Sequence, residues 1–143
     1  MYEMDTCDAL QILTETGLSK TAHRVAVLHC LIHACRPLSA GDILEQRKNE
    51  KRIDRATLYR MLQAFKEKGI IREIAADKGI FYELACRHNP SHPHFFCRKC
   101  KAVACLAPLS ASQERRWLRS YRFTVDRINI YITGVCNRCH RGD

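Results

Sequence analysis

Two cysteine pairs carry the strongest chemical signal in the sequence. Cys97-Arg-Lys-Cys100 is followed, after 35 intervening residues, by Cys136-Asn-Arg-Cys139. Each Cys-x-x-Cys turn offers two sulfurs, and two such turns can set four thiolates at the corners of one tetrahedron. Zn2+ accepts that all-sulfur set without electronic strain. A disulfide and a redox-active dithiol are the other chemistries open to the pairs, and the spacing favours structural zinc. A second cluster precedes the first. Cys86, His92 and His94 lie around a loop rich in turn formers, His88-Asn-Pro-Ser-His92-Pro93. One thiolate and two imidazoles suit Zn2+ better than Fe2+ or Mn2+, which take more oxygen. The fourth donor is open among Glu73, Glu83 and Cys105. The plainer reading makes Cys86 a small buried hydrophobe and the histidines loop residues.

The chain of 143 residues is 46% hydrophobic, enough for one or two small folded domains. A C-terminal module of roughly fifty residues is marginal on burial alone, and a metal staple answers that need. Nine cysteines would also fit a secreted disulfide scaffold. The N-terminus lacks a basic and apolar leader pattern, however, and no stretch reaches transmembrane length. The expectation is a cytoplasmic protein with reduced thiols available for metal and no membrane partner. A net charge of +9 calls for an acidic partner, nucleic acid first. Residues 1–86 hold 13 basic and 12 acidic residues, whereas 87–143 hold 11 and 3, so global charge points at the C-terminal part. A local stripe nevertheless exists at 46–72, with nine basic and three acidic residues. A solvated helix face is its plainer reading.

The elements that position these groups follow from periodicity and punctuation. Residues 5–16, with Leu10, Leu13 and Ile12, read as a short amphipathic helix ending at Gly17. Thr21 caps a second helix lined by Val25, Leu28 and Ile32, which Arg36-Pro37 ends. Ser39 starts a third, with Ile43 and Leu44 inward. Asp54 caps a fourth, running to about Lys68 before Gly69, whose buried side is Leu58, Leu62 and Phe65. Its other sides carry Arg55, Thr57, Tyr59, Arg60, Gln63 and Lys66. Two β runs, 70–75 and 80–84, meet at the hairpin signal Asp77-Lys78-Gly79. Helices followed by such a hairpin make a winged helix-turn-helix, with the fourth helix reading the major groove. Beyond the loop, 94–97 and 102–106 read as strands, 109–120 as a helix and 122–133 as alternating β, slipping at Asp126-Arg127. The expected fold class is therefore α+β. A winged-helix domain at 1–86 precedes a small α/β domain at 87–143 with a structural four-cysteine zinc site.

Several motifs then fall in order: Gly17-Leu-Ser-Lys-Thr21-x-x-Arg24, Ala56-Thr57-Leu58-Tyr59-Arg60, Phe81-Tyr82-Glu83-Leu84, His92-x-His94-x-x-Cys97-x-x-Cys100 and Gly134-x-Cys136-x-x-Cys139. Together they resemble the ferric uptake regulator (Fur) family over roughly residues 10–140. The resemblance implies a homodimeric, metal-responsive repressor of metal-uptake genes, with the C-terminal domain for dimerisation. It implies an A·T-rich palindromic DNA operator contacted by Tyr59, Arg60 and Thr57, with Arg55, Arg24 and Lys20 on phosphate or in the minor groove. A Tyr ring can pack on a thymine methyl and an Arg can fork to guanine. The family's usual basic residue falls at Ser19, one place before Lys20.

The Cys86-x5-His92-x-His94 spacing is similar to that of the family's zinc-sensing (Zur) branch. That likeness implies a second divalent metal, Zn2+, at a regulatory site drawn from Cys86, His92, His94, Glu83 and Cys105. Iron- and peroxide-type relatives use a carboxylate, which Glu83 could supply, and a histidine where this chain has Pro37. Zinc-type relatives carry Asp where this chain has Arg72. A further family site lacks its histidine at Ile128, and Glu114 is the nearby helix's one acid. His29, His33, Cys30, Cys35, Trp117, Cys7 and His140 read as packing or surface residues. Two competing classes are a thiol oxidoreductase and a zinc-ribbon RNA-binding or docking module. The first lacks a surrounding βαβ pattern, and the second rests on the C-terminal charge. No catalytic triad, phosphate loop or carboxylate pair supports an enzyme.

Overall fold

The computed structural model describes residues 7–76, 79–86, 89–119, 121–126 and 128–142, without the side chains of 111, 114 and 117. The expected turn residues Asp77 and Lys78, together with His88, Arg127 and the Trp117 and Glu114 side chains, lie outside that description. The chain forms two compact units that part between Asn89 and Pro90.

The first unit is helical with a small sheet. Helix α1 (Ala9–Glu15) starts where the Asp8 carboxylate accepts from the Leu10 amide at 2.8 Å. It stops at Gly17, whose φ of +72° favours a residue without Cβ, while the Leu18 amide reaches back to the Leu13 carbonyl at 3.0 Å. Its buried side is Ala9 and Leu13, and Leu10 is 49% exposed. Of the apolar residues of the expected amphipathic helix, Leu10 therefore faces outward. Residues four apart are about 40° apart around a helix, and Leu10 stands roughly 80° off the Ala9–Leu13 line.

Helix α2 (Ala22–His33) is capped by Thr21 and buries Val27, Leu28, Leu31 and Ile32. The next strand was not legible in the sequence. β1 (Leu38–Ser39) is two residues long and leads into α3 (Ala40–Arg47). Ser39 and Asp42 form a capping box there: the Asp42 amide donates to Ser39 Oγ at 3.0 Å, and the Ser39 amide to the Asp42 carboxylate at 2.9 Å. Ser39→Ala is therefore expected to lower stability by about 1 kcal/mol, visible as a lower urea midpoint with an unchanged slope.

Helix α4 (Arg55–Glu67), capped by Asp54, buries Leu58, Met61, Leu62 and Phe65. Gly69 at φ +70° ends it, and the Ile70 amide returns to the Phe65 carbonyl at 2.9 Å. Strands β2 (Ile71–Ala76) and β3 (Gly79–Leu84) then pair antiparallel from Ile71 opposite Leu84 to Ala76 opposite Gly79. β1 adds to β3 with Leu38 opposite Tyr82, so the order is β1-β3-β2. One apolar cluster, including Leu13, Leu28, Ile43, Leu58, Phe65 and Leu84, joins the helices to this sheet. The result is the winged helix-turn-helix.

The second unit is built on β4 (His94–Cys97), with β5 (Val103–Cys105) antiparallel on one edge and β6 (Tyr131–Gly134) parallel on the other. α5 (Ala111–Leu118) begins with a Ser110–Gln113 capping box, and α6 (Asn137–Arg141) closes the chain. The long β run expected over 122–133 is shortened: among its described residues, strand structure begins at Tyr131 and runs to Gly134. A strand needs a partner for its backbone, and β4 is four residues long. Among the described residues, no helix is long and apolar enough to cross a membrane.

Candidate nucleic-acid face and metal centres

Helix α4 separates its two tasks by face. The buried side anchors it, and Arg55, Tyr59, Arg60, Gln63 and Lys66 are exposed, with Tyr59 at 45%. The N-terminal turn is pre-ordered. Asp54 accepts from the Thr57 amide at 2.9 Å and from its hydroxyl, and Arg60 Nη2 donates to Thr57 Oγ1 at 3.2 Å. Hydrogen bonds from the Thr57 hydroxyl and amide hold the Asp54 carboxyl below its ordinary range, so it stays an anionic cap. Thr57 thus both caps and orients the arginine. Lys20 is exposed, and Arg24 donates to the Ser19 carbonyl at 3.1 Å and to its hydroxyl. Ser19 therefore holds an arginine where the family pattern has a cation. A helix face of this kind offers hydrogen-bond donors and an aromatic ring to base edges and phosphates.

In the second unit the sheet register assembles the cysteines. β4 ends at Cys97 opposite Gly134, two residues before Cys136, and the Arg98 amide donates to the Gly134 carbonyl at 2.8 Å. A Cβ on Gly134 would come 3.2 Å from the Phe95 ring, so glycine permits this close approach. The first knuckle is a tight turn in which the Lys101 amide donates to the Cys97 carbonyl at 3.0 Å and Lys101 takes φ +65°. The second places Cys136 at the start of α6 and Cys139 within it.

All four sulfurs lie within 4.8 Å of one another, and Cys100 and Cys136 are 3.7 Å apart. A tetrahedron with metal–sulfur arms of about 2.3 Å has edges of about 3.8 Å. The residues fit a tetrahedral metal. Amide donors from Cys100 and then Cys136, the latter at 3.4 Å, pull the Cys97 thiol down to about 6 against the effect of burial. The Ala102 amide likewise lowers Cys100. Hydrogen bonding to Cys100 and Cys136 pushes Cys139 up to about 12, because neighbouring thiolates share the last proton. A central dication removes that conflict.

A second donor group lies on the same sheet. Cys105 stands opposite His94 in the β4–β5 register, and the His92 and His94 rings are 4.5 Å apart. His92, His94 and Cys105 bring one ligand atom each within 4.8 Å. His92 Nδ1 is 2.8 Å from the Pro90 carbonyl, which can only accept. A proton on Nδ1 would be donated to that carbonyl, leaving the Nε2 lone pair to a metal.

The sequence profile of the Ferric uptake regulator family matches residues 15–133. The chain belongs to the ferric uptake regulator family. A ferric uptake regulation protein of Staphylococcus epidermidis is 30% identical over 139 residues, covering 96% of this chain and 98% of its own. One from Staphylococcus aureus is 31% identical over 137 residues, covering 95% and 98%. The solved ferric uptake regulator of Vibrio cholerae aligns with a TM-score of 0.73 at 26% identity, over 88% of this chain and 98% of that one. A zinc uptake regulator solved with zinc and DNA shares the fold at a TM-score of 0.67 and 22% identity, over 94% and 91%. This Fur-family chain is accordingly a metal-responsive DNA-binding regulator of transcription and not an enzyme.

The remaining predicted donors of the Fur-family chain sit in the first unit. Glu83 is buried and paired with Arg72 at 2.9 Å, while Arg72 also donates to the Asn89 carbonyl at 2.7 Å. Glu73 is paired with Lys66 at 3.0 Å. Cys86 packs partly against the helical core with its sulfur 3.3 Å from that of Cys7, a pairing with no local signal in the sequence. Sequence reasoning also missed Arg138, whose guanidinium hydrogen-bonds the Cys100 sulfur. A basic residue inside the second knuckle was its available signal.

Proposed function

We propose that this Fur-family protein is a homodimeric, zinc-responsive repressor that acts in the cytoplasm on an A·T-rich palindromic operator and controls metal-uptake genes. The metal assignment rests on one observation: two imidazoles and a thiol, from His92, His94 and Cys105, converge in the second unit. That donor set suits Zn2+ over the harder Fe2+ and Mn2+. Cys86, six residues ahead of His92 in the sequence, is the further thiolate of this reading, and Glu83, nine residues ahead, competes with Cys105 for the fourth place. A donor set complete in only one conformation of the protein has the differential affinity that an effector requires. Cys97, Cys100, Cys136 and Cys139 would hold a permanent structural Zn2+.

Dimerisation has its own support. Tyr121, Phe123, Tyr131 and Ile132 of the second unit are 46–61% exposed, and the Tyr121 and Phe123 rings stack with centroids 5.0 Å apart. Apolar surface of that extent is what a second copy would cover. Two copies would present two α4 helices, with Tyr59, Arg60, Thr57 and Arg55 on base edges and phosphates and Arg24 and Lys20 beside them.

The test is an anaerobic titration of protein carrying its four-cysteine metal with Zn2+, Fe2+ or Mn2+ against a palindromic A·T-rich duplex. Low Zn2+ alone is expected to switch binding on, and Cys86→Ala combined with His92→Ala to abolish the response. An equal response to Fe2+ or Mn2+ would replace the zinc assignment with an iron-type one, which the names of the staphylococcal relatives favour. Binding indifferent to every metal would remove the regulatory site altogether.

A further inference from the structure

Cys7 and Cys86 are 79 positions apart in sequence, yet their sulfurs meet at 3.3 Å, half-buried against the helical core. Neither the DNA face nor the four-cysteine centre accounts for this contact. Both backbones are anchored. Cys7 directly precedes Asp8, whose carbonyl accepts from the Ile12 amide at 3.0 Å. Cys86 follows Ala85, whose amide donates to the Ile70 carbonyl at 2.8 Å, and its own carbonyl accepts from the Asn89 amide at 2.9 Å. The Asn89 side chain closes the turn on the Leu84 carbonyl at 2.7 Å. The thiols are thus held side by side by regular structure. A disulfide needs sulfurs about 2.05 Å apart, so rotation about the two side chains has to close only roughly 1.2 Å.

We infer that Cys7 and Cys86 are a reversible modification site, forming a disulfide with a peroxide-class oxidant. One thiol attacks a peroxide oxygen, gives a sulfenic acid and releases water from hydrogen peroxide. The second thiol then displaces hydroxide from that sulfur, and the displaced group leaves as water with the thiol's proton. Two thiols lose two electrons and two protons, and one peroxide becomes two waters. A dithiol reductant reverses the bond by exchange. Cys86 is also a donor in the zinc-responsive reading, and a disulfide sulfur is not a thiolate ligand. Resting on that reading, the oxidised protein loses its metal response while the thiols of its four-cysteine centre stay protected by metal.

The test uses the full chain with the four-cysteine metal in place, treated with hydrogen peroxide, alkylated and mapped by peptide mass. A dithiothreitol-reversible cross-linked peptide joining Cys7 and Cys86 is expected in the wild type and absent from Cys7→Ser. Sulfinic acid on Cys86, or pairing of Cys86 with another cysteine, would overturn the assignment. Zn2+-dependent DNA binding is followed in the same samples. Cys7→Ser should keep the response after peroxide, and the wild type should lose it until reduced. A cross-linked wild type that still responds to Zn2+ upholds the disulfide and removes Cys86 from the metal site, so the two readings fail separately.

Discussion

Cys97→Ser is expected to release the four-cysteine metal and, with it, the ordered structure of the second unit. The reason lies in where the core is. Among the described residues, the buried apolar side chains of the second unit are Pro93 and Cys97, and the others belong to the first. The second unit rests on a three-stranded sheet, a short turn and the convergence of four sulfurs. Structural zinc in small domains contributes an apparent free energy on the order of 10 kcal/mol, more than a sheet of this size recovers from burial. Serine keeps the volume but not the soft anionic sulfur, which Cys97 offers readily because amide donors draw its thiol down to about 6. Metal content after dialysis should fall by one ion per chain, and cooperative unfolding of the second unit should disappear. Cys105→Ser is the control and should leave that ion in place. Full metal retention by Cys97→Ser would show that the four sulfurs do not act as one site.

The second large effect is expected at the DNA face. Tyr59→Ala with Arg60→Ala should weaken duplex binding on the order of a hundredfold, since a good base contact is worth about 1–3 kcal/mol. Stability should change little. Tyr59 is 45% exposed, and Arg60 is exposed with its hydrogen bond made to Thr57 on the same helix. The salt dependence should flatten by about one unit of slope for the lost cation. Changing Arg115 and Arg116, which carry part of the C-terminal charge, is expected to leave specific binding intact. Anisotropy against a specific and a scrambled duplex reads both quantities. If the pair of α4 substitutions left affinity unaltered while the Arg115 and Arg116 changes abolished it, the reading helix would be misplaced.

Local signals account for what the sequence alone determined about this protein. Thr21, Ser39 and Asp54 each precede a helix and cap it, and Gly17 and Gly69 stop helices at positive φ. The α4 faces, the hairpin strands and the two Cys-x-x-Cys turns are equally local, because each is decided by residues a few positions apart. Partner choice is not local. Alternation in a strand says that it is pleated, not what it pairs with. Only the tertiary structure showed that β1 joins β3, that β6 pairs parallel with β4 and that Cys105 faces His94. The parallel register carries Cys136 to Cys97, and it leaves 122–126 outside the sheet because β4 has four residues to offer. The contact of Cys7 with Cys86 has the same cause: it joins the start of α1 to the end of β3, and the packed core between them sets the distance.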